Sequence, residues 1–220
     1  MGSEDIRVVG LGAGGHAKVV IEILRLRGGH EFVGLLDANP ELQGTELCGV
    51  TVVGDDSHLA ELYRQGARGF FIGVGSVGNS SQRRRLYEQA LHAGFAGTRA
   101  VHPQAIVSGA AEIGNGPTVM AGAVINAAAR IEDNVIVNTG AIVEHDCVIE
   151  SHAHVATGAR LGGGVHVGEG AHVGLGASVR QGIKIGRNAI VGAGAVVIED
   201  VPEDVTVVGV PAKILKEARR

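Results

Sequence analysis

Between residues 145 and 172 the chain carries five of its ten histidines: His145, His152, His154, His166 and His172. An imidazole titrates near pH 6.5, so such a cluster suits proton exchange at neutrality or metal ligation. His145 stands apart because Glu144 and Asp146 flank it. Adjacent carboxylates raise the basicity of an imidazole and fix which nitrogen holds the proton. A second chemical pattern lies near the N-terminus, where Gly10-Leu-Gly12-Ala-Gly14-Gly15-His16 follows an apolar run and Asp37 comes later. Gly10, Gly12 and Gly15 satisfy G-x-G-x-x-G, and Asp37 sits near the spacing of a ribose-binding acid. Three readings of this loop stay open: a dinucleotide cofactor, another nucleotide-type ligand, or glycines that only let strand and helix pack closely. About 100 residues is short for two mononucleotide-binding halves, and His16 is unusual in such a loop.

The histidines are carried by a repeat. Residues 105 to 200 divide into sixteen consecutive hexapeptides, and the third residue of each is Val, Ile or Leu, from Val107 to Val197. The first position is Ala in eleven of them. This period is the signature of a parallel β-helix. Strand side chains alternate faces, so positions one and three fill the interior. Three six-residue faces make an 18-residue coil, which stacks Gly163 over His145 and His172 over His154. His145, at position five, lies on a corner outside the core. His154, His166 and His172, at position two, point outward; His166 and His172 read as surface histidines on a polar face. Cys147 takes a core-facing first position and reads as packing, not as an acyl carrier.

The first hundred residues alternate strands and helices, which implies a mostly parallel α/β sheet. Strands are expected at 6–9, 32–36, 50–53 and 69–74, with helices from the glycine loop to Arg27, from Ser57 to Arg64 and from Ser80 or Ser81 to about Ala93. Gly12 to His16, Asp37 and Gly75 then fall at the carboxyl ends of strands, where ligands of such sheets sit. The run Arg83-Arg84-Arg85 opens a helix whose apolar face is Leu86, Ala90 and Leu91, so at least two of these arginines are expected in solvent.

Composition agrees. Glycine is 36 of 220 residues and Trp is absent, as suits stacked aliphatic columns with glycine corners. A net charge of −4 provides no basic footprint for nucleic acid. Cys48 and Cys147 alone do not make a disulfide framework and fit a reducing compartment. No apolar run approaches the roughly 20 residues of a membrane span. A cytoplasmic protein with no membrane partner is expected.

Several motifs occur in order along the chain: Gly14-Gly15-His16, Gly75 with Gly78-Asn79, Val101-His-Pro103, Val124-Ile-Asn126, Asn138-Thr139, Glu144-His-Asp-Cys147 and Gly209-Val-Pro-Ala-Lys213. Together they resemble the bacterial sugar acetyltransferases grouped with sialic-acid O-acetyltransferases. Within that group the chain looks most like the N-acetyltransferases of nucleotide-linked 4-amino-4,6-dideoxy sugars, as in bacillosamine and perosamine biosynthesis. The resemblance implies a Rossmann-like nucleotide-sugar-binding domain over residues 1–100, then a left-handed parallel β-helix with a C-terminal tail over 101–220, assembled as a homotrimer. It implies acetyl-CoA as co-substrate and no metal. Carried over by position, it makes His145 the general base, Asp146 the carboxylate that raises its basicity, and Gly163 the backbone donor to the oxyanion. It assigns His154, Leu175 and Ala193 to acetyl-CoA, and Gly14, Gly15, His16, Asp37 and Gly75 to the nucleotide sugar. Asp146 stands where the bacillosamine enzymes have Glu, a shorter reach. The closing Gly-x-Pro-Ala-Lys resembles the segment that covers CoA in hexapeptide transferases.

The implied chemistry suits the residue types: an amine attacking a thioester must shed a proton, and a histidine accepts it at neutral pH. Other readings are a sialic-acid-type O-acetyltransferase or a transferase of a longer acyl chain on the same fold. A trimeric zinc hydratase needs three converging imidazoles, which this spacing does not supply, and a non-catalytic scaffold has no use for the glycine loop.

Overall fold

The computed structural model describes residues 5–215. The N-terminal unit is a six-stranded sheet in the order β3-β4-β2-β1-β5-β6. Its elements are β1 (Ile6–Leu11), α1 (Gly15–Arg27), β2 (His30–Leu36), β3 (Glu46–Leu47), β4 (Val50–Gly54), α2 (Leu59–Arg64), β5 (Gly69–Ile72), α3 (Ser81–His92) and β6 (Ala96–Gly97). All pairings are parallel except β3 with β4. Close packing explains two glycines. A Cβ on Gly10 would lie 2.4 Å from the Phe71 ring, and one on Gly73 would lie 2.1 Å from the Gly12 carbonyl oxygen. Helix α1 buries Ala17, Val20, Ile21 and Leu24 along one stripe, the helical spacing of an apolar face.

Local differences from the sequence reading have simple causes. Asp55 accepts from the Ser57 amide, so residues 56–58 form a 3₁₀ turn and α2 begins at Leu59 rather than Ser57. The β3–β4 hairpin was not expected. It closes on Cys48 and Gly49, both with positive φ, as a two-residue type I′ turn requires. On α3 the buried face is Arg83, Leu86, Tyr87 and Ala90, while Leu91 is exposed. Arg84 and Arg85 are solvated as expected, but Arg83 is buried.

From Ala100 the chain winds into a coil of two-residue strands, one every six residues, with no loop ejected through residue 197. Strands pair parallel with those 18 residues on, as in Thr118↔Ile136 and Val119↔Val137. Face one carries strands 118–119, 136–137, 154–155, 172–173 and 190–191, face two 124–125, 142–143, 160–161 and 178–179, and face three 130–131, 148–149 and 166–167. Positions one and three form a continuous buried core from Val119 to Val207 that includes Cys147. Every sixth residue from Gly116 to Gly194 has φ between +52° and +71°. This left-handed corner suits glycine, and Asn or Asp next best.

The outward position-two residues differ by face. On face one, Thr118, Ile136 and His154 are buried, and Ile136 shares a core with α1, Leu35 of β2 and Phe71 of β5. Face three carries Glu112, Arg130, Val148, His166 and Lys184. Face two carries Ile106, 66% exposed, with the partly exposed Val124 and Ile142. Inward and outward neighbours on one strand should therefore differ sharply in energetic weight. Ile131→Ala should cost about 2–5 kcal/mol in denaturant unfolding, whereas Arg130→Ala, which removes an exposed 3.3 Å ion pair with Glu112, should stay within about 1 kcal/mol.

Candidate active site

The corner between faces two and three holds His145. Its Nδ1 lies 2.7 Å from Asp146 Oδ2, and both side chains are more than half exposed. The hydrogen bond to Asp146, with the charges of Asp146 and Glu144, raises the imidazole's pKa. Because Asp146 accepts at Nδ1, the neutral ring carries its proton there and leaves Nε2 a free base. Asp146 occupies a left-handed corner, φ +60°, where the coil below has Ala128 and the coil above Gly164. Aspartate tolerates this conformation better than most residues with a Cβ, and at this corner its carboxylate stands next to the imidazole. Glu144 is fixed by Asn126 Nδ2 at 2.9 Å, one coil below. Above the ring lies Gly163, where a Cβ would sit 2.6 Å from both Nε2 and Cε1. Gly163 is glycine for space, since any side chain would strike the imidazole. Its N–H, like others at position five, has no backbone acceptor among the described residues.

The corner between faces one and two presents a second column. Leu175 is 60% exposed and Ala193 is also exposed. The Gly194 amide donates to the Leu175 carbonyl at 2.8 Å, so the two residues stack directly. His154, expected beside them, is only 5% exposed. It points away from the coil core, but Ser76 lies against it: Nδ1–H donates to the Ser76 carbonyl and Nε2 accepts from Asn138 Nδ2 at 3.2 Å. Burial, the dominant cause, pushes its pKa down to about 4. His172 packs edge-on against it at 4.8 Å between ring centroids and is half-buried, with Nδ1 sealed off. It is therefore not the solvated surface histidine that its position suggested. His166 is one, half-exposed and paired with Glu150 at 2.6 Å.

In the N-terminal unit, Asp37 closes the glycine loop. Oδ2 accepts from the Ala13 amide at 2.7 Å and Oδ1 from the Asn39 amide at 2.9 Å. Gly12, Asp37, Ala38, Val74 and Arg85 border a small cleft at the carboxyl ends of the strands. Gly14 and Gly15 are exposed at the start of α1. His16 turns from the cleft toward the coil: Arg83 Nη1 is 3.4 Å from its Nε2, and Gly75 lies against its Cβ. Burial, then the charges of Arg83 and His154, lower the His16 pKa. Among the described residues no three His, Cys, Asp or Glu side chains converge on a metal position, and no helix is long and apolar enough to cross a membrane.

The predicted residues thus form two groups within one chain. Gly14, Gly15, His16, Asp37, Gly75 and His154 lie in or beside the N-terminal unit on face one, with Leu175 and Ala193 at its edge. His145, Asp146 and Gly163 occupy the corner opposite that face.

Residues 7–90 match the family model described as the PglD N-terminal domain. The whole chain is similar to perosamine N-acetyltransferase from Caulobacter crescentus, solved with CoA and GDP-perosamine: 44% identity, 96% of this chain and 97% of that one, TM-score 0.90. It is also similar to the acetyltransferase domain of PglB from Neisseria gonorrhoeae, solved with acetyl coenzyme A, at 39% identity, 96% and 100% coverage and TM-score 0.88. WeeI from Acinetobacter baumannii is 29% identical over 95% of this chain and 100% of its own, TM-score 0.81. The chain belongs to the hexapeptide-repeat sugar acetyltransferases. Comparison with the curated proteins returned no match. As a sugar acetyltransferase of this family the protein is an acyltransferase, and its coil is the left-handed parallel β-helix.

The buried seam between the N-terminal unit of this acetyltransferase and face one sets a pH limit on stability. The folded pKa of His154 lies below its unfolded value near 6.5, so the seam is fully stable above pH 6.5. Stability should fall as pH drops from 6.5 toward 4, by about 3 kcal/mol from His154 alone. Urea titrations across that range should show the decline, and His154→Asn should flatten it.

Proposed function

We propose that the protein transfers the acetyl group of acetyl-CoA to the 4-amino group of a nucleotide-linked amino-dideoxy sugar, by direct attack of the amine on the thioester. The observation that carries this reading is the His145 corner: a base oriented by Asp146 through Nδ1, its free Nε2 beneath a glycine that keeps the space above it clear. His145 Nε2 takes the proton as the amine attacks. The Gly163 N–H stabilises the developing oxyanion, a contribution of about 2.7–4 kcal/mol for one well-placed donor. No protein nucleophile is needed. Cys147 is buried, its Sγ 3.3 Å from the Gly162 carbonyl, and burial pushes its thiol pKa up.

The N-terminal unit takes the nucleotide sugar, with Asp37 organising Gly12–Gly15 and Arg85 at the cleft for phosphate. The Leu175–Ala193 column takes CoA. In this conformation His154 holds Ser76 against the coil rather than offering a ring nitrogen to the cofactor. Since His145 sits opposite the face that its own N-terminal unit covers, it serves a sugar bound by a neighbouring copy. The two corner columns flank face two, whose outward Ile106, Val124 and Ile142 await a partner. A closed threefold ring satisfies both needs. The homologous complexes with CoA, acetyl coenzyme A and GDP-perosamine support these ligand classes, and the use of acetyl-CoA supports a cytoplasmic location.

His145→Ala should lower kcat by about 10²–10⁴ while KM for acetyl-CoA stays within a few fold. The kcat/KM profile should rise with pH as His145 deprotonates, and Asp146→Asn, which removes the charge that raises this pKa, should shift the limb to lower pH. A His145→Asn enzyme with normal kcat and an unchanged profile would refute the base assignment.

Asp37→Ala should weaken nucleotide-sugar binding in calorimetry and spare CoA. Mixing Asp37→Ala with His145→Ala protein under subunit exchange should restore up to about one quarter of wild-type activity if each site joins two chains. No recovery despite verified exchange, or a monomer by light scattering, would refute the shared site.

A further inference from the structure

Arg83 is the one permanently charged side chain buried among the described residues, 1% exposed. No carboxylate pairs with it there. Nη1 donates to the carbonyl oxygens of Val74, at 2.8 Å, and Ile72, at 3.3 Å, just after β5; Nε reaches the Asn134 carbonyl on the coil at 3.4 Å. Nη2 has no acceptor. Burying an uncompensated guanidinium is costly, and here the cost follows from burial alone, which brings its pKa down to about 9. At neutral pH it is still a cation with nothing but N–H groups to present.

Among the described residues the only side chain hydrogen-bonded to the guanidinium is His16, whose Nε2 lies 3.4 Å from Nη1. A guanidinium only donates, so a proton on that Nε2 would point N–H at N–H. The alternative carrier is Nδ1, which is neither bonded to protein nor sealed off among the described residues. His154, the other titratable group near His16, is neutral with both ring nitrogens engaged, so it offers no competing acceptor. On the carbonyl side, residues Ile72 and Val74 lead directly into Gly75, which packs on His16.

We infer that Arg83 is a positioning residue that holds His16 in its neutral Nδ1–H tautomer, making it a fixed hydrogen-bond donor to an oxygen of the nucleotide sugar near the coil. This rests on the proposed nucleotide-sugar site. An ammonium or guanidinium at position 83 preserves the effect, because both only donate. A glutamine does not, since its amide oxygen can accept from Nε2–H and release the tautomer.

The test separates tautomer from binding. With ¹⁵N-labelled histidine, long-range ¹H–¹⁵N spectra of ligand-free protein at pH 7.5 should show His16, assigned by its loss in His16→Gln, as the Nδ1–H form. Arg83→Lys should keep that signature; Arg83→Gln should shift it toward Nε2–H. Calorimetry with GDP-perosamine should show about a tenfold weaker Kd for Arg83→Gln, the loss of one hydrogen bond to a charged or polar oxygen, with partial recovery in Arg83→Lys and CoA binding unchanged. A charged or Nε2–H His16 in the wild type, or an Arg83→Gln protein that weakens CoA and sugar equally, would overturn the inference. So would an unaltered tautomer in Arg83→Gln. Wild-type protein that shows the Nδ1–H signature yet binds no nucleotide sugar would instead refute the site reading, because the tautomer is read without ligand.

Discussion

Everything chemical on this coil depends on one repeated interaction: the parallel main-chain pairing of each two-residue strand with the strand 18 residues on. Each coil turns its corner through a left-handed residue, and the position-two and position-four amides donate to carbonyls of the next coil, as Ile136 does to Ala153 and Asn138 to Val155. Register is therefore not adjustable. A one-residue slip would put the Val and Ile of position three into water. The same rigidity lets a base on one coil and a vacancy on the next, His145 and Gly163, face each other without any loop to hold them.

The second organising feature is the seam on face one. It joins a polar cluster, His16, Arg83, His154, His172 and Asn134, to apolar contacts from α1, Phe71, Met120 and Ile136. The apolar part supplies association, while the polar part specifies how the two units sit. Arg83 reaches carbonyls on both sides of the seam, so it welds the end of β5 to the coil. The neutral histidines tolerate this cation only because burial keeps them unprotonated.

How much of this was readable beforehand follows from the range of the interactions. The coil is periodic, and its contacts lie at a constant 18-residue separation, so the stacking of Gly163 on His145 and of His172 on His154 could be counted off the sequence. The parallel sheet and the glycine loop followed from local patterning. What escaped were contacts made when one unit docks on the other. Nothing near residue 154 announces that Ser76 will cover it, and nothing in Arg83-Arg84-Arg85 distinguishes the arginine that is buried. Tyr87 displaced Leu91 from the α3 core because it also reaches the Asn115 carbonyl on the coil, at 3.1 Å. The Cys48-Gly49 hairpin was missed because cysteine rarely marks a left-handed turn.

A prism of stacked strands ends in bare edges, and a bare edge is a template for another chain. At the C-terminal end the hexad pattern stops, yet strand Thr206–Val208 still adds to face one, and Lys213–Ile214 then folds back on it antiparallel. The Ala212 amide meanwhile takes the Val196 carbonyl on face two. The reversal presents the next would-be strand with the wrong polarity and a different hydrogen-bond spacing. The tail thus covers the face-one edge at this end of the coil, where a further coil would need a strand running the other way.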